Sequence, residues 1–214
     1  MILYSYWRST AAYRVRVALN LKGIDYETHP IDLVKDGGMQ HHTDYINVNP
    51  SELVPSLELD DGTVLVQSLA IMDYLDAIKP EPALLPSDLI TRAHVLGVAH
   101  TIAMDTHPVN NLRVAQYLGK TFGADGDAKR DWMVHWMEVG FRSIEPLLTS
   151  NTPFAFDDKP GLADICITCQ CYNAHRWGVD MMPFPNILKI EKNSLSLQAF
   201  IDATPEQQPD AVAS

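Results

Sequence analysis

A chain of 214 residues, 46% hydrophobic and 20% charged, is long enough to bury one large core or two small ones. Its formal net charge of −11 sets up a field that repels phosphate backbones, so nucleic acid is not an expected partner. No apolar run approaches the roughly 18 residues of a membrane span, no signal-peptide pattern opens the chain, and three cysteines clustered within six positions make no disulfide framework; a reduced, cytoplasmic protein is expected.

In chain order, Ile2 to Tyr6 reads as a strand. Ser9 or Thr10 then caps a helix that runs to Lys22 and stops at Gly23, with Ala11, Val15, Ala18 and Leu19 on its apolar face. Tyr26 to Ile31 reads as a second strand, and β-α-β order implies a parallel pair. Residues 34–50 look like a polar loop. The stretch VPSLELDDGTVLV places two short alternating runs around Asp60-Asp61-Gly62, a hairpin signal. Ser68 is positioned to cap a helix from Leu69 to Ile78.

The proline-rich KPEPALLPSD then breaks the periodicity. Beyond it the pattern is helical only: 89–118, 129–148 and 162–177, with GADGDA and 151–159 as loops. PFPN precedes a weaker helical tail, and PEQQPDAVAS is expected to fray. These elements predict a thioredoxin-like domain over 1–80, a linker over 81–88 and an all-helical domain over 89–214.

Charge is unevenly spread. Arg8, Arg14, Arg16 and Lys22 precede the first acidic residue, Asp25. An arginine cluster in an acidic chain points to a local anion site. Arg14 and Arg16 are read as structural, paired with acids such as Asp73, Asp76 or Asp164. The helical spacing of Cys166, Cys169 and Cys171 lacks the loop geometry of a structural zinc site and reads as buried core thiols; adjacent His41 and His42 diverge. No metal is expected, and Trp132 and Trp136 read as core.

The segments RSTAAYRVRVALNLKGIDYE, VPSLELDDGTVLVQSLAIMDYL, DTHPVNNLRV and ADICITCQCYNAHRWGVDMMPFPN, long and in order, resemble the zeta-class glutathione transferases over about residues 1–200. The sequence departs from the family motif at Thr10, Ala11 and Tyr13, where Ser, Cys and Trp are usual. Gly161 replaces the Ser/Thr of a capping box completed by Asp164. Losing the cysteine removes the protein thiol nearest the helix start, so any sulfur chemistry falls to a cofactor.

The resemblance implies bound glutathione. Ser9 or Thr10 would stabilise its thiolate, Gln67 and Ser68 would hold the γ-glutamyl carboxylate, and Val54 would pair with the cysteinyl part at a cis Val54-Pro55 turn. Gln40 would contact the glycyl end, and His107 and Asn111 would lie near the glutathione or a partner subunit. Arg8 and Arg176, with Arg113, would bind a dicarboxylate substrate, Arg8 and Arg176 also stabilising a developing enolate. The implied activity is glutathione-dependent cis–trans isomerisation of maleylpyruvate to fumarylpyruvate in a cytoplasmic homodimer. Maleylacetoacetate is the near alternative substrate, and the rival readings are a general transferase or dehalogenase and a non-catalytic binding protein.

Overall fold

The computed structural model describes residues 1–212. They form two compact units: Met1–Leu84 together with the segment from Ser196 onward, and Leu85–Leu195.

The first unit is built on a four-stranded sheet in the order β2-β1-β3-β4, from β1 (Ile2–Ser5), β2 (Glu27–Pro30), β3 (Ser56–Glu58) and β4 (Val64–Val66). β1 and β2 are parallel; β3 runs antiparallel to both β1 and β4. Helix α1 (Thr10–Lys22) makes the crossover, short α2 (Thr43–Val48) follows β2, and α3 (Ser68–Ile78) follows β4. This is a thioredoxin-like domain. Ser9 caps α1 by accepting the Ala12 N–H at 3.2 Å, and Gly23, at φ 56°, ends it in the left-handed conformation that favours glycine.

α1 is buried almost all round, not on one stripe: Ala12, Val15, Val17, Ala18, Leu19 and Arg16 are all fully enclosed. The reason lies in the segment from Ser196, expected to close the helical half, which packs on α1 instead. In and around α10 (Gln198–Ile201), Phe200 O accepts from Tyr13 Oη (3.3 Å), Ala203 O from Arg16 Nε (3.0 Å) and Ala199 O from Asn20 Nδ2 (3.0 Å). The expected fraying of the tail is corrected as well: Pro205–Gln207 forms a 3-10 turn and Asp210 Oδ2 accepts the Trp7 N–H at 2.9 Å. Ala213 and Ser214 lie outside the described residues.

The acidic partners expected for the arginines are corrected in part. Arg14 bonds Ser68 Oγ, while Asp76 is held by Lys22 and Asp164 accepts backbone N–H groups of Ala155 and Gly161. Arg16 bonds Ala203 O, Ser5 Oγ and Trp7 O.

The second unit is helical: α4 (Leu89–His100), α5 (His107–Val109), α6 (Leu112–Phe122), α7 (Gly126–Ile144), α8 (Leu162–Trp177) and α9 (Pro185–Ser194). The continuous helix expected over 89–118 is interrupted. A π-helical turn at Thr101–Thr106 precedes α5, and Asn111 then caps a new helix by accepting the Arg113 N–H at 3.2 Å. Asp125 caps α7, which begins three residues before the expected start. α8 is central, buried nearly continuously from Leu162 to Ala174 with all three cysteines enclosed. Trp132 and Trp136 are only half-buried; Met133, Met137 and Phe141 fill the core beside them. No described helix is long and apolar enough to cross a membrane.

Candidate active site

Strand register gathers the candidate residues of the first unit. Tyr4 pairs with Ser56 and Ser56 with Val66, while Ser5 pairs with Pro30. The loop leading to α1, the start of β3 and the passage from β4 into α3 therefore share one end of the sheet. Ser9, Thr10, Val54, Pro55, Gln67 and Ser68 all lie there.

Two helices of more than ten residues begin at this end, and neither has an acid in its first turn. Their N-terminal N–H groups and dipoles favour an anion, with no carboxylate of their own competing for it. Ser9 is half-buried, its hydroxyl held by the helix cap. Thr10 is the first residue of α1 and is buried. Arg8 lies over Trp7, its guanidinium carbon 4.2 Å from the ring centre. Trp7 is pinned on both sides, its N–H by Asp210 and its carbonyl by Arg16 Nη2 at 3.1 Å.

Ser68 does not cap α3 as expected. It is the first helical residue, and Gln67 occupies the cap position at φ 71°, left-handed backbone that costs a non-glycine residue roughly 1–3 kcal/mol. Strain of this kind collects at ligand clamps, and here it leaves the Gln67 side chain exposed while Ser68 is buried.

The Val54-Pro55 bond is cis. Helix α2, unanticipated in the sequence, holds the turn before it. Tyr45 Oη donates to Leu53 O at 2.6 Å, and Asn49 Nδ2 reaches both Leu53 O (2.8 Å) and Ser56 Oγ (3.0 Å). Burial pushes the Tyr45 phenol above its usual range, so it stays a donor. These two positioning residues were missed because only the fold brings them to the turn. Gln40 is buried in the 3-10 turn Met39–His41, donating to Leu33 O at 3.4 Å while its Oε1 has no partner.

In the helical unit, His107 opens α5, Asn111 caps α6, and Arg113 and Arg176 are exposed. Arg176 lies in the last turn of α8, its guanidinium carbon 5.1 Å from the Trp177 ring centre. α7 braces both segments. Trp132 Nε1 donates to Val109 O at 2.8 Å, and Arg130 Nε to Trp177 O at 3.3 Å.

Residues 8–78 match the model of the glutathione S-transferase N-terminal domain. The chain is 43% identical over 212 residues to a probable maleylacetoacetate isomerase of Vibrio cholerae, covering 99% of this chain and 98% of that one. It matches the holo structure of a maleylpyruvate isomerase, described as a bacterial zeta-class glutathione transferase, with a TM-score of 0.95 at 40% identity, over 99% of this chain and all of that one. The chain belongs to the zeta class of glutathione transferases. A maleylacetoacetate isomerase of Methylobacterium extorquens AM1, solved with malonate and glutathione bound, matches at TM-score 0.94 and 36% identity over the full length of both chains. Relatives of this zeta-class chain thus carry the names of both isomerases.

Proposed function

We propose that this zeta-class protein is a glutathione-dependent cis–trans isomerase of a 2,4-dioxo diacid, with maleylpyruvate its preferred substrate. The observation that carries the reading is the meeting, at one end of the sheet, of the Ser9-capped start of α1, the cis Val54-Pro55 turn and the strained Gln67-Ser68 start of α3. That combination fits glutathione. Its γ-glutamyl carboxylate suits the N–H groups at the start of α3, its cysteinyl amide suits the Val54 backbone, and its sulfur suits the start of α1. Gln40, with an unpartnered buried Oε1, suits a donor at the glycyl end.

Bound glutathione supplies a thiolate nucleophile that adds reversibly to the enone and so frees the former double bond to rotate. The chain's part is to keep that sulfur charged and to grip the diacid. A thiol of pKa about 8.5 is mostly protonated at neutral pH, and lowering it by two units takes about 2.7 kcal/mol. The start of α1 contributes roughly 0.3–2 kcal/mol, and a hydroxyl donating to the charged sulfur about 1.5–3 kcal/mol. Ser9 or Thr10 with the helix suffices where either alone is marginal. Ala11 supplies no competing thiol. Planar guanidinium groups bind carboxylates in pairs of hydrogen bonds, the role assigned to Arg8, Arg113 and Arg176. Arg8 and Arg176 also stabilise the negative charge that develops on the oxo group.

His107 and Asn111 are assigned to the glutathione side, the protein to the cytoplasm, and the assembly to a homodimer, which sedimentation tests. Steady-state rates on maleylpyruvate and maleylacetoacetate, each with and without glutathione, test the reaction. Turnover of maleylpyruvate only with glutathione, at a higher kcat/KM than maleylacetoacetate, is expected. A rate independent of glutathione contradicts the mechanism, and a preference for maleylacetoacetate contradicts the substrate.

A further inference from the structure

The buried cations of α1 fall into two kinds. Arg16, fully enclosed, places Nε, Nη1 and Nη2 each on an oxygen of its own chain: Ala203 O, Ser5 Oγ and Trp7 O. Lys22, also enclosed, pairs with Asp76 and bonds the Lys79 carbonyl at 2.7 Å. Arg14 differs. It is 1% exposed and makes a single bond, Nη1 to Ser68 Oγ at 3.2 Å, while Nε and Nη2 find no acceptor. Among the described residues no carboxylate pairs with it.

A guanidinium does not escape this by losing its proton, because its delocalised charge persists throughout the range in which proteins fold. Left buried without a counter-charge it is costly, and the cost falls when an anion arrives. The position of Arg14 says where. Its one bond reaches the first residue of α3, an 11-residue helix whose N-terminal N–H groups already favour negative charge. A buried cation with two unfilled donors and a helix N-terminus thus converge on Ser68. Along α1, Arg14 sits one turn beyond Thr10, so the helix that presents Ser9 also carries this charge to α3.

We propose that Arg14 is a positioning residue for glutathione: it orients the Ser68 hydroxyl and supplies the counter-charge behind the γ-glutamyl α-carboxylate. The proposal rests on glutathione being bound at Gln67-Ser68. It makes recognition of the carboxylate at α3 depend on a side chain of α1, and it turns the residue expected to be structural into part of the anion site that the arginine cluster first suggested.

Calorimetric titration separates this role from a merely structural one. The ligands are glutathione and 4-aminobutyryl-cysteinyl-glycine, the same tripeptide without the γ-glutamyl α-carboxylate. Unaltered protein is expected to bind glutathione the more tightly. Arg14→Met is expected to weaken glutathione by about tenfold or more and the analogue by less than about twofold. Arg14→Lys, which keeps the charge and loses the fork, gives an intermediate loss confined to glutathione. If Arg14→Met does not fold, Arg14→Lys and Ser68→Ala carry the same comparison, each expected to lose affinity for glutathione selectively. Equal losses for both ligands, or none for glutathione, overturn the role of Arg14. Unaltered protein that does not bind glutathione overturns the proposed function instead.

Discussion

Ser9 is asked to do two things, and removing its oxygen separates them. In Ser9→Ala the Ala12 N–H, now 3.2 Å from Oγ, loses its acceptor. An N-cap deletion costs about 1 kcal/mol, which in a chain of this size lowers the midpoint of thermal unfolding by roughly 2–4 °C. The second loss falls on the bound sulfur. A charge-assisted hydrogen bond contributes about 1.5–3 kcal/mol, so the thiol of bound glutathione should rise by roughly one to two pKa units. If Ser9 is the contact, the thiolate fraction near neutral pH, and kcat/KM with it, should fall by about three- to twenty-five-fold from a starting thiol two units below its free value. The thiolate's ultraviolet absorbance, followed against pH in the complex, reads the first effect, and initial rates read the second. Ser9→Asp is the informative control, because aspartate caps a helix as well as serine but sets a negative charge against the sulfur. It should keep the thermal midpoint and lose still more thiolate. Thr10→Val tests the neighbouring hydroxyl, and the larger shift of the two identifies the contact. If neither Ser9→Ala nor Thr10→Val moves the thiol pKa, the assignment of sulfur chemistry to the start of α1 is refuted.

Three further outcomes are expected. Lys22→Met leaves Asp76 half-enclosed without its cation and strips a donor from the Lys79 carbonyl, so denaturant unfolding should show a loss of about 3–5 kcal/mol. Gln67→Gly removes the penalty of φ 71° and should raise stability by about 1 kcal/mol while weakening glutathione binding by calorimetry. Burial pushes the Asp164 carboxyl up to about 6, outweighing the two N–H groups it accepts. A carboxyl that holds its proton more tightly when folded stabilises most below its unfolded value, and that contribution is lost as pH rises through the folded one. Against Asp164→Asn, the unaltered protein should therefore lose relative stability between about pH 4 and pH 6; a relative gain over that window contradicts the burial argument.

What the sequence made legible was local. Ser9 and Gly23 mark the ends of α1 because a cap and a left-handed glycine are single-residue signals. Asp60-Asp61-Gly62 marks the turn of the hairpin, with Gly62 at φ 84°. What stayed hidden depends on distant partners or carries no periodic pattern. α2 has six residues and a single buried side chain, Tyr45, so no amphipathic period reveals it. The π-helical turn at Thr101–Thr106 is made of residues that suit an α-helix equally well. The docking of 196–212 on α1 joins positions nearly 190 apart, and with it the burial of Arg16. Arg14 was misread for a similar reason: charge implies an ion pair, and only the fold shows that its partner is the hydroxyl of Ser68 and that two of its donors are unfilled. The candidate site residues of the first unit came from the family motifs, but Tyr45 and Asn49, which clamp the turn before Val54, belong to no such motif.

In a crystal structure of the protein with glutathione, the sulfur should lie within about 3.5 Å of Ser9 Oγ or Thr10 Oγ1, with the γ-glutamyl carboxylate on the backbone N–H groups at Gln67-Ser68. A sulfur remote from both hydroxyls contradicts the account.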